Sequence, residues 1–310
     1  MPQRAPPSTF VSVELADVFQ WKSNLNCILK IIAGTLLTSV LGGCSSLIFA
    51  GINSLSGDSR LRTTTDVEFD PAHSLSLDVF SPQGASAAPV VVFFYGGYWR
   101  SGDRGQYRWV GEALAREGLF AMLPDYRKFP STGLDGFMAD AASAVAWARA
   151  HAAEHGGDPD RIVLMGHSAG AHLAALLATD ASWLGAHQIK PKDLCGVVGL
   201  AGPYDFLPLT GRSLIEIFGT ERGEQLRSQP TNFVNGDEPP MLLLHGAADT
   251  TVGQHNTANL ARKLEAAGVK VSTRIYPEIK HVGMLLALSG RFAKEAPVMA
   301  DSLEFIRACE

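Results

Sequence analysis

The stretch Arg161-Ile-Val-Leu-Met-Gly-His-Ser-Ala-Gly170, followed at once by Ala171-His-Leu-Ala-Ala-Leu-Leu-Ala-Thr-Asp180, restricts the fold more than any other part of the chain. An apolar run of buried-strand length enters Gly166-His-Ser-Ala-Gly170, and a helix of small residues starts directly behind it. A turn this tight leaves no room for bulky side chains at Gly166 and Gly170, which would collide with the neighbouring strand and helix. Ser168 then stands at the tip with its hydroxyl clear of the backbone, the geometry of a nucleophile elbow. The amide of Ala169 falls at the helix N-terminus, where unpaired N–H groups and the helix dipole favour a negative oxygen, so it is half of an oxyanion hole. The bland alternative is an ordinary Gly-Ser turn, because a chain with 31 glycines can meet G-x-S-x-G by chance. The strand and helix flanks favour the elbow.

The rest of the chain supplies the sheet such an elbow needs. Thr63 to Phe69 and Leu75 to Phe80 alternate apolar and polar residues, as half-buried antiparallel strands do, with Asp70-Pro71 as the turn. Val90-Val-Val-Phe-Phe-Tyr95 is apolar throughout, as expected of a strand covered on both faces. Helices near Tyr107 to Arg116, Gly136 to His155, Asn256 to Ala267 and Pro297 to Ala308 alternate with strands Leu119 to Leu123, Arg161 to Met165, Leu194 to Leu200, Met241 to His245 and Val269 to Tyr276. In the second helix Phe137, Ala141, Val145 and Ala148 share one face. Repeated β-α units predict an α/β fold with a mostly parallel sheet and helices on both faces, its ligands at the carboxyl ends of the strands. The irregular stretch 202–240 reads as a short cap segment.

A serine hydroxyl is a weak nucleophile at neutral pH and needs a base, itself oriented by a third group. Strand Met241 to His245 runs into Gly246-Ala-Ala-Asp249, and strand Val269 to Tyr276 into Pro277-Glu-Ile-Lys-His281, both at the edge where the elbow emerges. The order Ser168, Asp249, His281 fits a catalytic triad of this architecture. Asp205, one strand earlier, is the rival acid; Asp249 as a helix cap and His281 as a surface histidine are the innocent alternatives. After the Val90 strand, Tyr95-Gly-Gly-Tyr-Trp99 offers the amides of Gly97 and Tyr98 as further oxyanion donors, against a tight turn that merely needs glycine. Trp99, Phe206, Leu209, Ile215 and Phe218 are candidate pocket residues or simply core. His151-Ala-Ala-Glu-His155 matches a zinc-protease pattern, but no third ligand is evident and histidines suit the end of a helix, so no metal is expected.

Composition bounds the remainder. With 310 residues, 46% of them hydrophobic, the chain can bury one large core, and a net charge of −5 provides no basic footprint for nucleic acid. Cys27, Cys44, Cys195 and Cys309 show no paired spacing that suggests a zinc site or a disulfide framework, and Cys195 reads as a core residue. From Ile31 to Ile52 no residue is charged, and Lys22 and Lys30 precede the run. Its most apolar part leads into Leu41-Gly-Gly-Cys44, which resembles the lipobox of bacterial lipoprotein precursors; that resemblance implies lipidation at Cys44 and an exported, membrane-associated enzyme. An uncleaved membrane anchor and a buried helix are the other readings. The expected organisation is a targeting segment over 1–43, a linker over 44–62 and a catalytic domain over 63–310.

From about Thr64 onward the chain resembles the α/β-hydrolase carboxylesterases, in particular the BD-FAE-like group, with relatives among hormone-sensitive-lipase-type esterases, kynurenine formamidases and prenylcysteine methylesterases. The resemblance rests on Tyr95-Gly-Gly-Tyr-Trp99, Asp125-Tyr-Arg127, Gly156-Gly-Asp-Pro-Asp-Arg-Ile162, Gly166-His-Ser-Ala-Gly170, His245-Gly-Ala-Ala-Asp249 and His281. It departs at Tyr95, which stands where the group usually carries histidine. It implies two-step hydrolysis of a small or medium ester by Ser168, His281 and Asp249, with water as second substrate and no cofactor. An amidase or formamidase, a non-catalytic binding protein on the same fold and a membrane-tethered peptidase are the alternatives.

Overall fold

The computed structural model describes residues 57–290 and 296–309, together with Phe49, Gly51 and Asn53. Eight strands form one sheet in the order β1-β2-β4-β3-β5-β6-β7-β8: β1 (Leu61–Asp70), β2 (Leu75–Pro82), β3 (Ala88–Phe94), β4 (Phe120–Pro124), β5 (Gly157–His167), β6 (Gly196–Leu200), β7 (Met241–Gly246) and β8 (Val271–Tyr276). The first two are antiparallel to their neighbours and all other pairings are parallel. Burial follows the sequence pattern. In β3 every residue from Val90 to Phe94 is inaccessible, because helices cover both faces, whereas the edge strand β1 keeps most of its residues at least partly exposed.

The helices are α1 (Arg108–Arg116), α2 (Leu134–His151), α3 (Ala169–Thr179), α4 (Ala181–Gly185), α5 (Arg212–Phe218), α6 (Arg222–Arg227), α7 (His255–Ala266), α8 (His281–Leu286) and α9 (Val298–Arg307). All residues of α3 are buried, which explains why it carries no charge and why small side chains dominate it. Phe137, Ala141, Val145 and Ala148 of α2 form one buried face, as their spacing predicts. The segment 202–240 is less irregular than expected, since it holds α5, α6 and a 3₁₀ turn at Pro230–Asn232.

The stretch before the sheet makes specific contacts, and the reading of the cysteines without a disulfide needs correction. Asn53 is tied to α1 and to the 3₁₀ turn before it (Arg104–Tyr107): its Nδ2 donates to the carbonyls of Gly105 (2.8 Å) and Gln106 (3.2 Å), and its Oδ1 accepts from the amide of Trp109 (3.1 Å). Gly57 donates to the buried carboxylate of Glu112 (3.2 Å), and the sheet has already begun at Leu61. Composition rich in Ser and Gly marks this stretch as a linker, and within it Asn53 and Gly57 bind specific partners. Cys195 and Cys309 form a disulfide, with Cα atoms 5.5 Å apart, that fastens the chain after α9 to the entry of β6. Their separation of 114 residues hides the pairing from any spacing rule. Closing a loop of that length stabilises the fold by about 2–5 kcal/mol, mainly by restricting the unfolded chain.

Among the described residues no helix is long and apolar enough to cross a membrane. Cys44 and the apolar run before it lie outside the described residues.

Candidate active site

The parallel register brings the carboxyl ends of the central strands to one edge: Phe94 of β3 lies beside Gly166 of β5, and Gly246 of β7 beside Tyr276 of β8. Ser168 follows β5 and is held by its amide, which donates to the carbonyl of Leu200 (2.9 Å). Its backbone sits at φ 56°, ψ −122°, a strained conformation for a residue with a Cβ. The flanking glycines are obligatory. A Cβ at Gly170 would land on the carbonyl of Phe94, and one at Gly166 on the backbone of Gly170.

The loops after β7 and β8 deliver Asp249 and His281 to the serine. His281 Nε2 lies 2.9 Å from Ser168 Oγ and its Nδ1 lies 2.7 Å from Asp249 Oδ2. The Asp249 carboxylate is fully buried, and its Oδ1 accepts from the amides of Thr251 (2.8 Å) and Val252 (2.9 Å). Burial opposes its charge, but the bond from His281 and those amides outweigh burial and keep its pKa below the ordinary carboxylate value. An ionised Asp249 requires the proton of His281 on Nδ1, leaving Nε2 free to accept from the serine hydroxyl. The rival Asp205 is occupied elsewhere, its Oδ2 accepting from Asn259 (2.6 Å).

Two supporting histidines were not singled out by the sequence reading. The buried His167 donates from Nε2 to the carbonyl of His281 (3.0 Å), fixing the backbone of that residue from the elbow side. Burial and the neighbouring His281 push its pKa down to about 3, so it stays neutral. His245, also buried, donates from Nε2 to the carbonyl of Val252 (3.0 Å) and accepts at Nδ1 from Thr257 Oγ1 (3.0 Å), bracing the loop that carries Asp249. Their positions directly before Ser168 and at the end of β7 were the available signal; periodicity says nothing about what a buried imidazole bonds to.

The turn after β3 is tightly wound. Gly97, Tyr98 and Trp99 all have positive φ (130°, 59° and 57°), and the Gly97 carbonyl accepts from the amides of Arg100 and Ser101 (3.0 Å each). No described group accepts from the amides of Gly97, Tyr98 or Ala169, so the three expected oxyanion donors are unpaired. Gly96 packs against Ser168, where an added Cβ would lie 3.2 Å from the serine Cβ. Tyr95 anchors the turn by other means than a histidine: its hydroxyl donates to Asp125 (2.6 Å), its ring stacks between Tyr107 and Tyr126, and its carbonyl accepts from the Tyr126 hydroxyl (3.0 Å).

A cavity of about 350 Å³ opens on Ser168, lined by Trp99, Phe206, Leu207, Leu214 and Val252 among others. Of the five expected pocket residues only Trp99 and Phe206 line it. Phe218 packs edge-on against the Trp99 ring (centroids 4.8 Å apart), Leu209 is buried, and Leu214 rather than Ile215 faces the cavity from α5. Adjacent helical residues point about 100° apart, so an error of one residue in facing exchanges wall for flank. A larger cavity of about 500 Å³, lined by Arg62, His155 and Gly156 among others, contains none of Ser168, Asp249 or His281. In the zinc-like motif, His151 pairs with Glu154 (3.0 Å) and His155 packs on Trp147. Among the described residues, Asp70, His73 and Asp140 alone bring three possible metal-ligand atoms together, and there Asp140 is held by Arg127 and Asp70 by His73.

Fold and site together define an α/β-hydrolase with a serine–histidine–aspartate constellation at the carboxyl edge of its sheet. The chain belongs to the BD-FAE family, which it matches over residues 77–264. It is similar to the probable isoprenylcysteine alpha-carbonyl methylesterase ICMEL1 of Arabidopsis thaliana, with 31% identity over 68% of this chain and 49% of the relative. It is also similar to the kynurenine formamidase of Danio rerio, with 27% identity over 74% of this chain and 80% of the relative. The chain spans about half the length of the methylesterase relatives it matches. Among solved structures, esterase 2 of Thermogutta terrifontis superposes with a TM-score of 0.66 at 27% identity, covering 81% of this chain and 96% of that one.

Proposed function

We propose that the protein is a serine carboxylesterase acting on small or medium esters through an acyl-enzyme. The observation that carries this reading is the placement of His281 between Ser168 (2.9 Å) and the buried Asp249 (2.7 Å). Ser168 attacks the ester carbonyl as its proton passes to His281 Nε2, and Asp249 stabilises the imidazolium. The amides of Gly97, Tyr98 and Ala169 receive the oxyanion; the alcohol leaves with the proton from His281, and water then releases the acid by the same steps. A cavity of about 350 Å³ suits a small substrate. The similarity to a formamidase favours amide or formamide cleavage as the second reading. A panel of short-chain acyl esters, aryl amides and N-formyl compounds separates them. Esters are expected to give the highest kcat/KM; faster N-formyl turnover reverses the order, and no turnover on any class leaves a binding protein.

The enzyme is further proposed to be exported and tethered through Cys44. The run from Lys30 through the apolar segment to Leu41-Gly-Gly-Cys44 supports this, as does the Cys195–Cys309 disulfide, since such bonds persist mainly in oxidising compartments. Each buried CH₂ of an acyl chain contributes about 0.8 kcal/mol, so two or more chains anchor where one is marginal. Mass spectrometry of membrane-extracted protein is expected to find a mature N-terminus at Cys44 carrying acyl mass, with processing blocked in Cys44→Ser. An intact N-terminus in membranes indicates the uncleaved anchor, and a full-length soluble protein refutes export.

A further inference from the structure

The hydrolytic reaction leaves a buried histidine on the elbow helix unused. His172 lies one helical turn beyond Ser168 on α3 and is inaccessible to solvent. Its Nε2 is 2.7 Å from the carbonyl of Ser228, an atom that only accepts, so Nε2 carries the proton and Nδ1 is an acceptor. The group 3.3 Å from Nδ1 is the indole N–H of Trp99. Burial pushes the imidazole pKa down to about 4, which keeps Nδ1 free to accept near neutral pH.

Both partners lead to the site. Trp99 is a cavity wall and directly follows Tyr98, and these two non-glycine residues occupy the left-handed region, where a backbone persists only if its surroundings over-determine it. On the other side, Ser228 and Gln229 are buried. Ser228 Oγ donates to the carbonyl of Gln225 (2.8 Å) and accepts from Gln229 Nε2 (2.8 Å), while Gln229 Oε1 accepts from the amide of Phe206 (2.7 Å), which also lines the cavity and stacks on the Trp99 ring.

We propose that His172 is a positioning residue through which the segment 202–240 holds the oxyanion turn: one imidazole joins the elbow helix to the Trp99 indole and to the backbone of Ser228. This rests on the esterase reading. In that role His172 never touches substrate. It keeps the Tyr98 amide and the Trp99 wall where the acyl oxygen and acyl group need them, and a displacement of about 1 Å at such a support costs about 100-fold in rate.

The test compares His172→Leu, His172→Gln, Trp99→Phe and the double variant His172→Leu/Trp99→Phe, with kcat expressed per active site titrated by a fluorophosphonate. A merely structural role lowers the number of titrated sites but leaves kcat per site unchanged. The expected result is a fall in kcat of about 10- to 100-fold in His172→Leu and in Trp99→Phe, with KM moving much less. Partial recovery is expected in His172→Gln, whose amide keeps one acceptor and one donor on the two atoms flanking a single carbon, as the imidazole does. The double variant should be no worse than the poorer single, because both changes delete one interaction. Unchanged kcat per site, or effects that multiply, overturn the proposal. If His172→Leu does not fold, His172→Gln with Trp99→Phe decides by the same coupling. Should the wild-type protein hydrolyse no ester, the esterase reading fails by itself. The contact is then read from the Trp99 indole N–H resonance, identified by its loss in Trp99→Phe. A shift in the His172 variant supports the link, and an unmoved resonance overturns it.

Discussion

Ser168→Ala is expected to lower ester turnover by about 10⁶-fold while the protein melts at its wild-type temperature. The serine hydroxyl has one described partner, His281, so removing it deletes the nucleophile without unpairing any backbone group. Serine and alanine carry the same Cβ, and the strained φ of 56° at the elbow is no worse for the variant. The remaining activity comes from the oxyanion donors and the cavity, which still bind the ester and polarise its carbonyl. Because the three residues act as a unit, adding His281→Ala to Ser168→Ala should cost little more. The measurement is kcat on a short-chain chromogenic ester beside a thermal melt, and substantial turnover by purified Ser168→Ala would remove this serine from the chemistry.

Asp249→Asn is expected to reduce kcat by about 10⁴-fold with the fold intact. The amide oxygen of an asparagine can still accept from Thr251 and Val252, so the loop after β7 keeps its shape. Its NH₂ group would then face His281 Nδ1 as a donor. That forces the imidazole proton onto Nε2, the atom that must accept from Ser168, and the base is lost through its tautomer. Asp205→Asn is the control. Its carboxylate accepts from Asn259 rather than from His281, so that variant should stay close to wild-type turnover. If Asp205→Asn proves the more damaging change, the acid has been assigned to the wrong strand end.

Much of the site was legible because it is encoded locally. Ser168, Asp249 and His281 each follow a strand of the sheet, and a parallel sheet brings the carboxyl ends of its strands to one edge whatever lies between them. Gly166 is of the same kind, since a Cβ there would meet the backbone of Gly170 within the same turn, whereas Gly170 is required by the close approach of Phe94 from β3. The pocket was read less well. Trp99 and Phe206 are on its wall, but the facing of the seven-residue helix α5 depends on what packs against it, and Leu214 took the place given to Ile215.

By itself the sequence determined the order of β-α units and the placement of Ser168, Asp249 and His281 at strand ends, because strand period and helix starts are settled among near neighbours in the chain. Tertiary structure decided what distant residues do to one another. It joined Cys195 to Cys309, gave Tyr95 its anchor on Asp125, and set His167 against the His281 backbone. These contacts link residues 114, 30 and 114 positions apart, and their geometry depends on how whole helices and loops pack across the sheet. No local pattern specifies which buried donor meets which acceptor; only the close-packed interior, which admits few arrangements, does.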